Sequence, residues 1–509
     1  MAEEIELKLA LAPGARARLR RDPLLAGARS DGSHRLVTVY FDTPDLALRK
    51  LGVGLRLRRI GRRFVQTVKT PLEEGGALHR YHELEVELPN DRLDLLRIED
   101  PALRRLLSKR KIAGRLAPVF TTEVRRSLWT FRHAGALIEL ALDVGEIRSG
   151  ERSLAIAEIE LELKGGRAGG LHRAALALAG RLPLRVEWAT KAARGYALHT
   201  DAAPKAERAR PIRLAPDATP RLAFNVVAHA CLRQLGGSEA AALQATDTEG
   251  VHQMRVALRR LRALVGAFRN HMNGDCHAEL SRELRWLQRS LSPARDWDVF
   301  LTYTIPPIRR RLPDEPSLAR LAELAEAKRE IAYAAVQEAL RSPRYTTLLL
   351  RVALWLDSGR WAAVESDPLP LDRPCRRFAD RLLAKRHRRL RKLGRRENLS
   401  EGELHRLRLV AKKMRYVADF FRALYGAKAA DGYIAALSEL QDRLGSINDA
   451  VVTDMLLAEI GAGLEDAAAI DRGLALVRGW QARGIEAEMA EFGEVWRRFE
   501  RRKPFWRKG

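Results

Sequence analysis

Glu4, Glu6 and Lys8 stand two residues apart in Glu4-Ile5-Glu6-Leu7-Lys8. On a β-strand that spacing gathers all three on one face and leaves Ile5, Leu7 and Leu9 on the other. One such strand ordinarily turns its polar face to water. Here the pattern recurs, in Arg56 and Arg58, in Thr67 and Lys69, in Glu83, Glu85 and Glu87, in Glu139 and Asp143, and in Glu158, Glu160 and Glu162. If these strands close into a barrel, the charged faces converge on its interior, where they are prohibitive unless water, a metal or an anion compensates them. Carboxylates two apart on a strand stand roughly 7 Å apart at the backbone, and with those of a second strand they can wrap one or two hard divalent cations such as Mg²⁺. Arg56, Arg58, Lys69 and Arg126 can then clamp the other side of a linear triphosphate. That combination suits phosphoryl transfer to water, where positioning and charge neutralisation carry most of the catalysis.

A second set of cations is spaced for helices. His252, Arg255, Arg259 and Arg262 fall on one helical stripe, beside an apolar stripe of Val251, Met254, Leu258, Leu261 and Val265. The same arrangement returns 153 residues later. His405, Arg408, Lys412, Lys413, Arg415 and Phe421 follow His252, Arg255, Arg259, Arg260, Arg262 and Phe268, and Leu287-Gln288 maps onto Leu440-Gln441. A further basic run carries Arg381, Lys385, Arg388 and Lys392. Basic helix faces are usually just solvated. Like charges at i and i+4 destabilise a helix, however, and two copies that keep several without interleaved acids point to a compensating anion. Neither histidine has a second histidine or carboxylate at i+3 or i+4, which speaks against zinc. The aromatic and basic tail from Trp496 to Trp506 reads as a terminal helix packing its rings, with nucleic-acid stacking as the weaker alternative.

The elements that must position these residues divide the chain. Residues 1–200 alternate in short period-two segments and predict a strand-rich domain. Residues 201–220 collect Pro204, Pro211, Pro216 and Pro220 and predict a linker. Residues 221–509 carry long 3.6-period segments rich in Ala, Leu and Arg and predict a nearly all-helical domain built from two repeats. The 509-residue length suits two domains. An excess of 91 basic over 65 acidic residues, +26 net, favours polyanionic partners. Three cysteines without CxxC spacing argue against a disulfide framework or a structural zinc site. The first residues show neither a basic start nor an apolar stretch, and no run of eighteen apolar residues follows, so a cytoplasmic protein without a membrane partner is expected.

The Glu4-x-Glu6-x-Lys8 pattern resembles the ExExK motif of the CYTH family, the triphosphate tunnel metalloenzymes. Tyr40-Phe41-Asp42-Thr43, residues 54–58, Lys69, residues 138–143 with Gly145-Glu146, residues 157–162 and residues 191–196 follow in that family's order. The resemblance implies an α+β, antiparallel eight-stranded β-tunnel. It further implies Glu4, Glu6, Asp143, Glu160 and Glu162 as ligands of Mg²⁺ or Mn²⁺, and Lys8, Arg56, Arg58, Lys69, Arg126 and Lys191 as phosphate-binding residues. One position departs: where that family has an arginine two residues before Glu83, this chain has Tyr81, and Arg80 would point outward unless a bulge intervenes. The histidine-led repeats resemble the CHAD family of conserved histidine α-helical domains, which often follow CYTH domains and are associated with polyphosphate. That resemblance implies a C-terminal all-α, duplicated helical bundle with His252, Arg255, Arg259, His405, Arg408 and Lys412 near a central basic groove, and the basic stripes add Arg262, Arg381, Lys385, Arg388 and Arg415 as candidate polyphosphate-binding residues. The expected activity is metal-dependent hydrolysis of inorganic triphosphate to diphosphate and phosphate in the tunnel, with inorganic polyphosphate held by the helices. The alternatives are a non-enzymatic polyphosphate-binding module and an enzyme of organic triphosphates, whether a nucleoside or thiamine triphosphatase or an adenylyl cyclase. A general nucleic-acid binder follows from charge alone, and the chain carries no recognisable base-reading motif.

Overall fold

The structure, a computed structural model, describes all residues except 1, 13, 73–77, 360, 363–370, 397–398, 463–467 and 507–509. Two compact units separate by their contacts: Met1–Lys205 with Leu340–Arg360, and Ala206–Ala339 with Trp361–Gly509.

Among the described residues of the first unit, nine antiparallel strands run β1 (Ala2–Leu11), β2 (Arg29–Asp42), β3 (Gly54–Ile60), β4 (Arg63–Pro71), β5 (Leu78–Leu88), β6 (Ala117–His133), β7 (Ala136–Ser149), β8 (Arg152–Gly165) and β9 (Leu184–Val186). Their order is β5-β4-β3-β2-β6-β7-β8-β1, and a β1–β5 pairing closes these eight into the expected barrel, while β9 adds to the end of β1. The barrel is inside out. Its wall turns apolar residues outward: Leu7, Leu9, Leu140, Leu142, Ile159 and Leu161 are fully buried, as are Leu171, Ala174, Ala175 and Leu178 of helix α1 (Gly169–Ala179), which packs on β1, β7 and β8. On another side Leu55 and Val68 bury against Leu48, Ile98, Leu107 and Ile112 of the short helical segments. Burying the outer face leaves the charged face nowhere to go but the lumen.

One end of the lumen is apolar. Leu36, Tyr40, Phe120, Val124, Ile147 and Ile156 pack with Tyr196 of helix α2 (Lys191–Thr200), whose hydroxyl donates to Asp42 at 2.9 Å. Two glycines permit this close packing. A Cβ at Gly195 would stand 2.1 Å from the Phe120 ring, and one at Gly145 would stand 1.9 Å from the Glu123 carbonyl, a backbone atom that cannot step aside.

The expected division put everything beyond residue 220 into the rear domain, yet Leu340–Arg360 groups with the tunnel. Helix α3 (Pro343–Ser358) packs on α1 and β9: His172 and Asp357 pair at 2.6 Å, and the Thr346 hydroxyl donates to the Leu184 carbonyl at 2.8 Å. Helix–sheet docking of this kind depends on shape and leaves no mark in the periodicity of either segment.

The second unit is helical, and its repeat is real in space. Residues Glu249–Ala267 pack on Pro220–Gly237 and Gly274–Val299, and the later copy, Glu401–Phe421, packs on Arg376–Gly394 and Ala427–Gly461. The two histidine-bearing helices also touch one another. Ser400 and Glu403 form a capping box at the start of the second. Phe224, Phe268, Trp361 and Phe378 form an aromatic core. In the last long helix, Ala468–Arg501, Trp496 and Phe499 are buried, and Trp506 beyond it is too, in line with the terminal-helix reading. Among the described residues no helix is long and apolar enough to cross a membrane.

Candidate functional site

The strand register decides which charges meet. Lys8 lies opposite Glu160, Arg126 opposite Asp143, and Asp143 opposite Glu158, so four neighbouring strands, β6, β7, β8 and β1, converge on one point of the lumen. Carboxylate oxygens of Asp143, Glu158 and Glu160 come within 4.8 Å of one another, all three side chains being buried. Four cations knit them together. Arg126 donates to both oxygens of Asp143, at 2.7 and 2.6 Å, and to Glu160 at 2.6 Å. Lys191, delivered by the first turn of α2, reaches Asp143 at 2.6 Å, Glu160 at 2.9 Å, and Glu158. Lys8 bridges Glu160 and Glu6, the latter at 2.9 Å, and Arg194 pairs with Glu158. The cations Lys8, Arg126, Lys191 and Arg194 thus face the carboxylates Glu6, Asp143, Glu158 and Glu160 in a balanced buried network. Burial alone would neutralise such groups. It is outweighed here: Lys191 and Arg126 hold Asp143 down at about 2, Lys191 and Lys8 hold Glu160 well below the carboxylate range, and Glu160 and Glu6 hold Lys8 well above the amine range.

The expected ligands therefore split. Asp143 and Glu160 come together, Glu6 joins them through Lys8, and Glu4 and Glu162 lie apart from the cluster. Glu162 pairs with Lys164 at 2.6 Å and feels Glu4 and Glu139; burial and these neighbours raise its pKa. Glu4 pairs with Lys69 at 2.5 Å. Glu158 and Arg194 were not assigned roles from sequence. The signals were there, since Glu158 shares the inward face of Glu160, and Arg194 follows Lys191 by one helical turn.

On the opposite wall Arg56 donates to Glu83 at 2.7 Å, and Lys69 lies 3.7 Å from the same carboxylate. β5 pairs with β4 without a bulge, so Tyr81 takes the inward position and Arg80 the outward one; the Tyr81 ring lies under the Lys69 ammonium, 4.6 Å from its centroid. Arg58 differs from every other cation here. It donates to the Thr38 hydroxyl at 3.2 Å, and among the described residues it has no carboxylate partner. Burial, with Arg56 and Arg126 beside it, pushes its pKa down to about 10.

In the helical unit Arg255, Arg259, Arg408 and Lys412 repel one another across the contact between the two histidine-bearing helices. Arg255 meets Asp296 and Arg408 meets Asp449, each at 3.5 Å and at matched positions of the repeat. Arg259 donates to the Tyr416 hydroxyl at 3.2 Å. These contacts do not cancel the excess charge. Burial, then Arg408 and Arg259, brings Lys412 down to about 7, and burial with Arg295 brings His252 down to about 4, so His252 is neutral near pH 7 and offers a ring nitrogen without a charge. His405 is exposed, and Arg415 lies over the Tyr416 ring. Arg262 belongs elsewhere, bonded to Gln288 and repelled by Arg285. Arg381, Lys385 and Arg388 are exposed, whereas Arg386 and Arg389 are the residues of their helix that face Lys413.

Comparison with known proteins agrees with this geometry. Residues 2–196 match the CYTH domain family and residues 226–458 the CHAD domain family. The crystal structure of the CHAD domain from the plant Ricinus communis is 30% identical, with a TM-score of 0.53, and the match covers 59% of this chain and 98% of that one. This chain is a CYTH–CHAD protein. Over 202 residues it is also 32% identical to the inorganic triphosphatase of Haemophilus influenzae, a match that covers 39% of this chain. It spans 55% of that relative's length.

Proposed function

We propose that the CYTH tunnel hydrolyses inorganic triphosphate to diphosphate and phosphate with Mg²⁺ or Mn²⁺, and that the CHAD helices hold inorganic polyphosphate. The observation that carries the first half is the buried, charge-balanced lumen with Arg58 left over. Its carboxylates fit a hard cation, because Asp143, Glu158 and Glu160 bring only oxygen donors and bring them within 4.8 Å. When bound, such a cation neutralises phosphate charge and polarises the bond to be cleaved.

The chain's own residues do the rest. Arg126, Lys191 and Lys8 are placed to exchange carboxylate partners for phosphate oxygens, and Asp143, Glu158, Glu160 and Glu6 would then hold the cation. Neither set of charges is stranded by the exchange, which avoids the cost of an unpaired buried ion. Arg58 and Arg56 supply further donors, and Lys69 lies on the same wall. The apolar end formed by Tyr40, Phe120 and Tyr196 keeps water out of that part of the lumen. Phosphate release from inorganic triphosphate, ATP and thiamine triphosphate, assayed side by side, tests the substrate; faster turnover of either organic compound overturns the inorganic assignment. The three cysteines are free and buried, which supports a cytoplasmic setting.

The 32% identity to a triphosphatase bears on the tunnel alone. For the helices the support is the repulsive cluster of Arg255, Arg259, Arg408 and Lys412. Lys412 is neutral above about 7 in the free protein and regains its proton beside a polyanion. Binding therefore takes up a proton at pH 8 and not at pH 6. Polyphosphate affinity should fall as pH rises above 7, by up to about tenfold per unit while the bound form stays protonated. Lys412→Arg should flatten this profile in calorimetric titrations. A wild-type affinity that does not change between pH 6 and 9 contradicts the assignment of Lys412.

A further inference from the structure

The two histidine-bearing helices are related by the 153-residue offset, but their charges are not matched at every position. In the first copy Arg260 is buried against Pro220–Gly237, where it donates to Gln234 at 3.0 Å, and Asp419 of the other copy lies 3.9 Å away to balance it. Lys413 is the counterpart of Arg260, and the counterpart of Asp419 is Gly266. The second side thus has the cation without the acid. Around Lys413 gather Arg386 and Arg389 from the preceding helix and Arg262 from the first copy, with Arg285 beyond it. Among the described residues none of these five has a carboxylate partner, and the Arg386 Nε is buried without a hydrogen bond. A Cβ at Gly266 would meet nothing within 4 Å, so the space that an acid would fill is open.

We propose that Arg262, Arg285, Arg386, Arg389 and Lys413 form an oxyanion site, separate from the groove around Arg259, that takes a phosphoryl group of a condensed phosphate chain. An anion there does for Lys413 what Asp419 does for Arg260. Mutual repulsion supports the arrangement, since burial and Arg389 bring Arg386 down to about 10, and burial, Arg386, Arg389 and Arg262 lower Lys413. Arg389, Arg262, Arg285 and Lys413 are exposed, which leaves the site open to a chain passing over the surface. Only the identity of the anion rests on the polyphosphate reading given above.

The missing acid can be supplied. Gly266→Asp adds a carboxylate in open space without removing any cation, and Gly266→Ala controls for the backbone. Titrated into the full chain at low salt, long-chain inorganic polyphosphate should bind Gly266→Asp roughly tenfold more weakly than Gly266→Ala, with triphosphate hydrolysis in the tunnel unchanged. Lys413→Ala should weaken binding in the same direction. Equal affinities of the Asp and Ala variants overturn this site while leaving the groove around Arg259 intact. No binding by the wild-type chain overturns both.

Discussion

Replacing Glu160 by Gln should lower triphosphate turnover by roughly a thousandfold at saturating metal. Glu160 is the most connected carboxylate of the lumen: Lys8, Arg126 and Lys191 all reach it, and its oxygens lie within the cluster with Asp143 and Glu158. The amide keeps the shape and can still accept hydrogen bonds, but it removes the charge that pairs with three buried cations and that, in the proposed function, would hold a divalent cation. Breaking a buried ion pair from one side costs about 3–5 kcal/mol, so urea unfolding of the variant should shift to lower concentration as turnover falls. Circular dichroism at 25 °C separates loss of chemistry from loss of fold. Turnover within a few-fold of wild type would remove Glu160 from the site.

Arg58→Ala should behave in the opposite way toward stability. Its turnover should fall by about a hundredfold or more, because a preorganised donor to the phosphate chain is lost. Its thermal midpoint should stay level or rise. Burial and the like charges of Arg56 and Arg126 already disfavour Arg58 in the folded state, so that its pKa lies below its ordinary value, and near neutral pH the residue is charged in both states and the fold bears the whole penalty. Arg126→Ala is the contrasting variant: it takes from Asp143 and Glu160 a cation that both share, leaves the buried network one positive charge short, and should destabilise by about 3–5 kcal/mol. A marked loss of stability in Arg58→Ala would show that it serves the fold rather than a ligand. The comparison needs only kcat and a melting curve for each.

Much of this was legible in the sequence, for reasons that differ along the chain. A strand repeats every two residues, so Glu4, Glu6 and Lys8 declare a common face without any knowledge of the fold, and Leu7 and Leu9 declare the wall behind it. Whether that face looks into a lumen depends on the β1–β5 closure, a long-range pairing that no local pattern encodes. Register was equally hidden. Glu158, Glu160 and Glu162 look equivalent along their strand, and only the pairing of Asp143 with Glu158 and of Lys8 with Glu160 makes two of them partners of the cluster and leaves the third beside Lys164. In the helical unit the 153-residue repeat was plain. The rotation of each helix was not, so the exposed Arg381, Lys385 and Arg388 drew attention while Arg386 and Arg389 face Lys413. Tyr81 is a case where alternation sufficed, for an unbulged strand fixes it inward and Arg80 outward.

The inside-out barrel also explains why the lumen tolerates so much charge. A hydrophobic core lies between its wall and the surrounding helices, so stability does not depend on filling the interior with apolar side chains. The interior is free to store paired ions, and in the proposed function these are the groups that a phosphate chain and a cation would separate and take up together.

The most direct measurement of the central claim is phosphate release from inorganic triphosphate by the purified full chain with Mg²⁺, with Mn²⁺ and with a chelator. Turnover with one or both metals, abolished by the chelator, is the predicted result. Triphosphate left intact under all three conditions would contradict the tunnel's assignment as a catalyst.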